Sequence, residues 1–100
     1  MALKAAFIFL APDTDPQQHR ATVVTPQVEL TAVAAQDYAD AERVAQMLVS
    51  DGVEAIELCG GFGNKGTARI ADAVAGKAAV GAVRFDCHPG LGGKSGDELF

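Results

Sequence analysis

The chain has 100 residues, of which 49% are hydrophobic and 6% aromatic, and its formal net charge at pH 7 is −5. This length predicts a single domain, residues 1–100, with a core of small aliphatic side chains. The eight Lys and Arg residues are scattered along the chain, which argues against a nucleic-acid partner because such a partner needs a basic face.

An apolar run near the start, Ala5–Ala11, raises the question of a membrane segment. The run is too short to cross a bilayer, and Pro12 ends it before it reaches the length of a signal peptide. We therefore expect a cytoplasmic protein with no membrane partner. In a reducing cytosol Cys59 and Cys87 are expected to be thiols rather than a disulfide, and their spacing predicts no metal site.

The first part of the chain predicts strands. The apolar run Leu3–Leu10 predicts the first strand, and a polar loop follows it. Thr22–Thr25 is β-branched but meets Pro26, so we expect at most an edge or a bend there. The alternation within Val28–Val33 predicts the second strand.

The first helix has the clearest pattern in the sequence. Asp37 is a suitable N-cap, and Gly52 follows at a position suited to the end of a helix. Between them, apolar residues recur at helical spacing at Ala41, Val44, Ala45 and Leu48. Downstream, Val53–Cys59 predicts a third strand and Lys65–Ala75 a second helix. The nearly unbroken apolar run Ala78–Phe85 predicts a fourth strand, covered on both faces.

These elements predict an α/β fold, a single-layer and mostly parallel four-stranded sheet with two helices in the order β-β-α-β-α-β. Right-handed crossovers that run in one direction place both helices on the same face of the sheet. The other face would expose apolar side chains, and an apolar face of that size is usually an interface. We therefore expect a homo-oligomer that uses the uncovered face.

A glycine-rich loop joins the third strand to the second helix. Residues 61–66, GFGNKG, fit the pattern G-x-G-x-x-G, and Asp86 lies 20 residues beyond Gly66, as in the dinucleotide fingerprint. The N–H groups at the start of a helix bind anions, helped by the helix dipole. We therefore expect the loop to hold an anionic group. The predicted ligand-binding residues of the loop are Gly61, Phe62, Gly63 and Asn64.

A full dinucleotide site does not fit this chain, because about 14 residues remain after Asp86 and the second half of a Rossmann fold is missing. A smaller anion or polar metabolite is the preferred ligand of the loop. A mononucleotide-binding domain and a purely structural turn stay open as alternatives.

A charged strand end follows the last predicted strand. Strand alternation places Arg84, Asp86 and His88 on one side. The guanidinium of Arg84 suits a carboxylate or phosphate, and His88 suits a general acid or base that Asp86 would orient. The structural alternative is an Arg84–Asp86 ion pair at the strand end, with His88 merely preceding a proline turn.

Two residues of the third strand are further catalytic candidates. Glu57 is a carboxylate in a predicted central strand, where it needs a partner. Arg84 on a neighbouring strand is the expected one, and an unpaired, catalytic Glu57 is the alternative. Cys59 ends the strand near the predicted helix N-terminus, where a thiol can become a nucleophile. Cys59 as a small buried hydrophobe is the competing interpretation.

The glycine-rich end of the chain contains Lys94 and Ser95 within a partial phosphate-loop motif. Too few residues follow for the helix that such a loop needs, so the match is a false one. We expect Leu99 and Phe100 to pack on a neighbouring subunit and to bring Lys94 and Ser95 beside residues 61–64 as ligand-binding groups.

Three stretches carry a resemblance to a known family: MALKAAFIFLAPDTDP at the start, IELCGGFG at residues 56–63, and VRFDCHPGLGGKSGDELF at residues 83–100. Together they resemble a family of small bacterial proteins, of about this length, that carries only an unknown-function label. The resemblance covers nearly the whole chain and implies a compact α/β protein of one domain. It supplies no catalytic residues to transfer.

The sequence thus predicts a protein that binds a small anionic metabolite at the carboxyl ends of its strands and leaves open whether it is an enzyme. No metal and no cofactor are implied. The alternative from a different class is a non-enzymatic structural or interaction module, in which the glycines form turns and the charged strand residues form interface ion pairs.

Overall fold

The computed structural model describes residues 2–85 and 88–100. Its strands are β1 (Leu3–Leu10), β2 (Arg20–Val24), β3 (Val28–Ala35), β4 (Ala55–Leu58) and β5 (Ala79–Ala82). Its α-helices are α1 (Tyr38–Ser50) and α2 (Asn64–Ala73), and two 3₁₀ turns follow at Pro89–Leu91 and Gly96–Glu98. Within the described ranges, neither helix combines the length and apolar character needed to cross a membrane.

The sheet is mixed and has five strands in the order β2-β3-β1-β4-β5, which corrects the prediction of four mostly parallel strands. β1, β3, β4 and β5 are parallel, whereas β2 pairs antiparallel with β3. The segment predicted as at most an edge or a bend is thus an edge strand, which the four-strand count had left out. Pro26 lies in the turn after it, where Thr25 Oγ1 donates to the carbonyl of Val28 and accepts from its N–H. A proline outside the ladder removes no sheet hydrogen bond.

Both helices lie on one face of the sheet and pack against each other, as the crossovers predicted. Glu42 of α1 and Arg69 of α2 form an ion pair between them. The core under the helices contains Ile8, Ile56 and Ile70 from β1, β4 and α2, all at most 1% exposed. Most of the hydrophobic stabilisation therefore comes from this face, because burial of apolar area is the main favourable term in folding.

α1 confirms its sequence pattern. The side chain of Asp37 accepts a hydrogen bond from the N–H of Asp40 at 2.8 Å, which satisfies one of the unpaired donors at the helix start. The four predicted core positions are all buried: Ala41, Val44, Ala45 and Leu48. Gly52 has φ 95°, in the left-handed region that glycine adopts without strain.

β5 differs from its prediction. The run Ala78–Phe85 was expected to be a strand covered on both faces, but β5 has only four residues and lies at the edge of the sheet. Ala79 and Gly81 are exposed because the helices cover only the opposite face. In this chain the run of small apolar residues therefore forms an edge strand. Its small side chains have little apolar area, so they can remain exposed there.

The face without helices, here called the uncovered face, is apolar. It consists of the strand residues that alternate with the core residues: Leu3, Phe7, Phe9, Ala21, Val23, Leu30, Ala32, Ala55, Glu57, Ala79 and Gly81 among others. Val23 is 60% exposed and Leu3 is 41% exposed. Among these residues Glu57 is the one charged side chain, and it lies on β4, next to the β5 side of the sheet.

Candidate functional site

The four parallel strands end at one edge of the sheet, here called the carboxyl edge, and residues 88–100 (the C-terminal segment) lie against it. Phe100 packs on Tyr38 of the same chain, with ring centroids 6.0 Å apart. The expectation that Leu99 and Phe100 pack on a neighbouring subunit is therefore wrong for Phe100. Its ring instead covers the partly open end of the core.

The start of α2 is bound to a carboxylate of the protein itself. The N–H of Lys65 donates to Asp97 Oδ2 at 2.9 Å, and the N–H of Gly66 donates to Asp97 Oδ1 at 3.0 Å. Gly63, the N-cap residue, has no side chain to satisfy these donors. The N–H groups at the start of α2 are thus bonded to the chain's own carboxylate, Asp97 of the C-terminal segment, and not to a separate ligand.

Tyr38 at the start of α1 completes this arrangement. Its hydroxyl donates to Asp97 Oδ1 at 2.7 Å and accepts from the N–H of Gly63 at 3.0 Å. The contacts of Asp97 with Tyr38, Lys65 and Gly66 are here called the Asp97 junction. Because α1, α2, the glycine-rich loop and the C-terminal segment all meet there, the junction fixes the walls of the site.

The local geometry of the C-terminal segment presents Asp97. Ser95 Oγ accepts from the N–H of Asp97 at 3.1 Å, and Glu98 Oε2 accepts from the N–H of Ser95 at 3.1 Å. This reciprocal pair is a capping box, which holds the short 3₁₀ turn in place. Asp97 is not among the predicted site residues, and this S-x-x-E pattern is the sign in the sequence of a turn at Asp97.

Tight packing at the junction accounts for the glycine spacing. A Cβ atom on Gly63 would lie 2.3 Å from the Asp97 carboxyl carbon, and one on Gly66 would lie 2.3 Å from the Tyr38 ring. A Cβ atom on Gly96 would lie 1.7 Å from the carbonyl oxygen of Gly61. These positions therefore exclude side chains because parts of the same chain occupy the space.

The junction shifts two pKa values in opposite directions. Burial raises the pKa of Asp97, but hydrogen bonds from Lys65 N–H, Tyr38 O–H and Gly66 N–H outweigh it, and the pKa lies below its usual value. Burial also raises the pKa of Tyr38 to about 12, and the hydrogen bond to Asp97 adds to this, whereas the N–H of Gly63 opposes it. The stable pair is a carboxylate with a neutral phenol.

Most of the predicted ligand-binding residues line one cleft beside the junction, here called the anion cleft. The cleft has a volume of about 220 Å³. The predicted residues that line it are Phe62, Gly63, Asn64, Arg84, His88, Lys94 and Ser95. Gly61 does not line it, since its carbonyl oxygen lies under Gly96.

Arg84 lies in the anion cleft rather than beside Glu57. Its Nη1 donates to Asn64 Oδ1 at 2.5 Å. Glu57 pairs in register with Gly81 and so lies on the uncovered face, which excludes it from the cleft. The expected Glu57–Arg84 ion pair is absent among the described residues, because β5 ends at Ala82, before Arg84.

His88 has a defined orientation. Its Nδ1 accepts from the N–H of Gly90 at 3.0 Å, and its ring lies 4.7 Å from the ring of Phe85. The neutral ring therefore carries its proton on Nε2, the atom that can exchange a proton with a ligand. Asp86, expected to orient His88, and Cys87 lie outside the described residues.

Cys59 directly follows β4 and does not line the anion cleft. Its Sγ accepts hydrogen bonds from the N–H groups of Leu10 and Gly61, both at 3.4 Å. Together with His88 it lines a second space of about 430 Å³, here called the apolar cavity. Two of the predicted catalytic residues, Cys59 and His88, thus border one cavity. Among the described residues, no cluster of three or more potential ligands could hold a metal ion.

The ionisation of the junction can be followed directly, because Tyr38 is the only tyrosine in the chain. We expect phenolate absorbance in the native protein to have its midpoint near pH 12. An unfolded tyrosine ionises near pH 10, so the stability contributed by Tyr38 is complete below pH 10 and is lost as the pH rises through about 12. Absorbance read immediately after a pH jump, before unfolding, tests this. A midpoint near pH 10 in the folded protein would contradict the buried Tyr38–Asp97 pair.

Asp97→Asn should lower stability at neutral pH by about 1 to 2 kcal/mol, since charge-assisted hydrogen bonds weaken and the group is only partly buried. The folded pKa of Asp97 is depressed, so its contribution is present above the unfolded value of 3.8 and is lost as the pH falls through the folded pKa. Urea denaturation across this range should show a smaller acid-dependent loss for Asp97→Asn than for the wild type. Asp13→Asn, in the exposed loop after β1, is the control and should keep the wild-type profile.

The chain was compared with protein families, curated proteins and solved structures. Residues 3–98 match the family model described as "Family of unknown function (DUF6506)". No curated protein and no solved structure matches the chain. The matched residues include both glycine-rich stretches, Tyr38 and Asp97. The chain therefore belongs to this family of unknown function, DUF6506.

Proposed function

We propose that this protein binds a small anionic metabolite in the anion cleft. The observation that carries the proposal is that Arg84 and Lys94, far apart in the sequence from the glycine-rich loop, line the same cleft as that loop. The carboxylate that also borders the cleft, Asp97, is already bonded to two backbone N–H groups and to Tyr38. The cationic side chains therefore favour an added anion.

The groups around the cleft suit recognition of a carboxylate or a phosphate. The planar guanidinium of Arg84 can donate two parallel hydrogen bonds to such a group, and the ammonium of Lys94 adds a point charge. Asn64 and Ser95 supply neutral polar groups at the same cleft. In a catalytic form of this function, Nε2 of His88 would transfer the proton.

The size of the cleft favours a metabolite over a nucleotide. Its volume of about 220 Å³ lies below the range of about 300 to 1,000 Å³ that is usual for sites of drug-sized ligands. A nucleotide phosphate at the start of α2 would also have to displace Asp97 from Lys65 and Gly66. A mononucleotide is therefore the less favoured ligand.

Binding can be tested by calorimetry and thermal shift with phosphate, acetate, a small dicarboxylate and a mononucleotide, because a ligand of the native state raises its stability. We expect a small anion to stabilise the protein. Arg84→Gln should weaken its binding at least about tenfold, the loss of roughly one charged hydrogen bond. Lys94→Gln should weaken it less, and Lys77→Gln, a matched loss of an exposed charge beyond α2, should have no effect. No stabilisation by any of these anions would refute the proposal.

We also propose that two copies of the chain associate through the uncovered face. The support is the contiguous apolar surface of β1, β2 and β3, on which Val23 is 60% exposed and Leu3 is 41% exposed. Glu57 lies toward the β5 side, so an interface centred on β1 and β3 can leave this carboxylate at its solvated rim. Apolar faces of this kind are more typical of interfaces than of monomer surfaces.

Light scattering coupled to size exclusion tests the assembly. The wild type should be an oligomer, and Val23→Glu should shift it to a monomer, because an unpaired charge in an apolar interface is costly. Met47→Glu, on a helix residue that is 39% exposed and outside this face, is the control and should leave the mass unchanged. A wild-type monomer, or equal masses for wild type and Val23→Glu, would count against the interface.

A further inference from the structure

The apolar cavity is a second space at the carboxyl edge, and the anion-binding proposal does not use it. Its volume is about 430 Å³, and it lies between the ends of β1 and β4 and the C-terminal segment. Its apolar lining side chains are Leu10, Pro12, Leu91, Leu99 and Phe100. The functional side chains on its wall are those of Cys59 and His88. Such a lining favours an aliphatic occupant over water, since water needs several polar partners.

His88 lines both the apolar cavity and the anion cleft. Consecutive residues of the glycine-rich loop divide between the two spaces in the same way, with Gly60 at the cleft and Gly61 at the cavity. The cationic groups Arg84 and Lys94 border the cleft alone. His88 is therefore a wall residue of both spaces, with cationic groups at one space and apolar side chains at the other.

We propose that the ligand is an amphipathic anion, a carboxylate or a phosphate monoester with an aliphatic chain. Its anionic group lies in the anion cleft against Arg84 and Lys94, and its chain passes His88 into the apolar cavity beside Cys59. This inference rests on the proposed function and names the class of ligand for that site. Charge complementarity fixes the orientation, because among the described lining residues the cations border only the cleft.

The experiment varies the length of the ligand's aliphatic chain and compares it with the size of the cavity. Calorimetry with straight-chain carboxylates of increasing length, starting at acetate, should show affinity rising about fourfold per methylene, the usual effect of burying one such group. The rise should stop when the chain fills the cavity. A parallel series of alkyl phosphates, starting at inorganic phosphate, shows which head group the cleft prefers.

Substitutions in the apolar cavity and in the anion cleft test the two halves of the site separately. Leu91→Ala and Leu99→Ala remove cavity wall, and Leu99 is 51% exposed, so the fold should tolerate its truncation. Both should flatten the dependence on chain length and leave acetate and phosphate binding unchanged. Met47→Ala, a truncation on the outer surface of α1, is the control. Arg84→Gln should weaken every member of both series by the same factor.

The outcomes distinguish this inference from the proposed function. Binding of short anions with no dependence on chain length would overturn the inference and leave the proposed function standing. Absence of binding at every length would overturn both. Long-chain binding that Leu91→Ala weakens and Arg84→Gln does not would also overturn the inference, because it would place the ligand in the cavity without an anionic contact.

Discussion

The hydrogen bonds of one carboxylate, Asp97, hold together the parts of this protein that form its candidate site. Asp97 accepts from the first N–H groups of α2 and from the hydroxyl of Tyr38 at the start of α1. A helix start has unpaired N–H donors and the positive end of the helix dipole, so a carboxylate there is stabilised both by hydrogen bonds and by the dipole. No other described residue within 95–99 makes a charged contact with the helices. The anion cleft exists because the segment is held in this place.

The sequence predicted the fold where the signals are local and missed it where they depend on the rest of the sheet. Asp37 and the spacing of the apolar residues after it were sufficient for α1, because both signals are local. The number of strands was underestimated, since Pro26 was judged to end a strand that in fact pairs before reaching it. The run after Lys77 predicted a covered strand, yet β5 is an edge strand, because a composition of Ala, Val and Gly does not reveal which face the helices cover.

The sequence pointed to most of the described residues that line the cleft, but not to the carboxylate bound at the start of α2. Alternation and the glycine spacing identified the loop and Arg84, and the structure brings these together with Lys94. The Tyr38–Asp97 contact joins residues 59 positions apart, and no periodic pattern marks either partner. Glu57 was misassigned for a similar reason, since its partner was inferred from strand order without knowing that β5 ends before Arg84. Long-range contacts between single side chains leave no trace in one sequence.

The proposed assembly and the proposed ligand binding use different parts of the molecule. The uncovered face is formed by alternate residues along the strands, whereas the described residues that line the cleft follow β4, follow β5 or belong to the C-terminal segment. A substitution at a strand residue of the uncovered face therefore replaces none of the side chains that line the cleft.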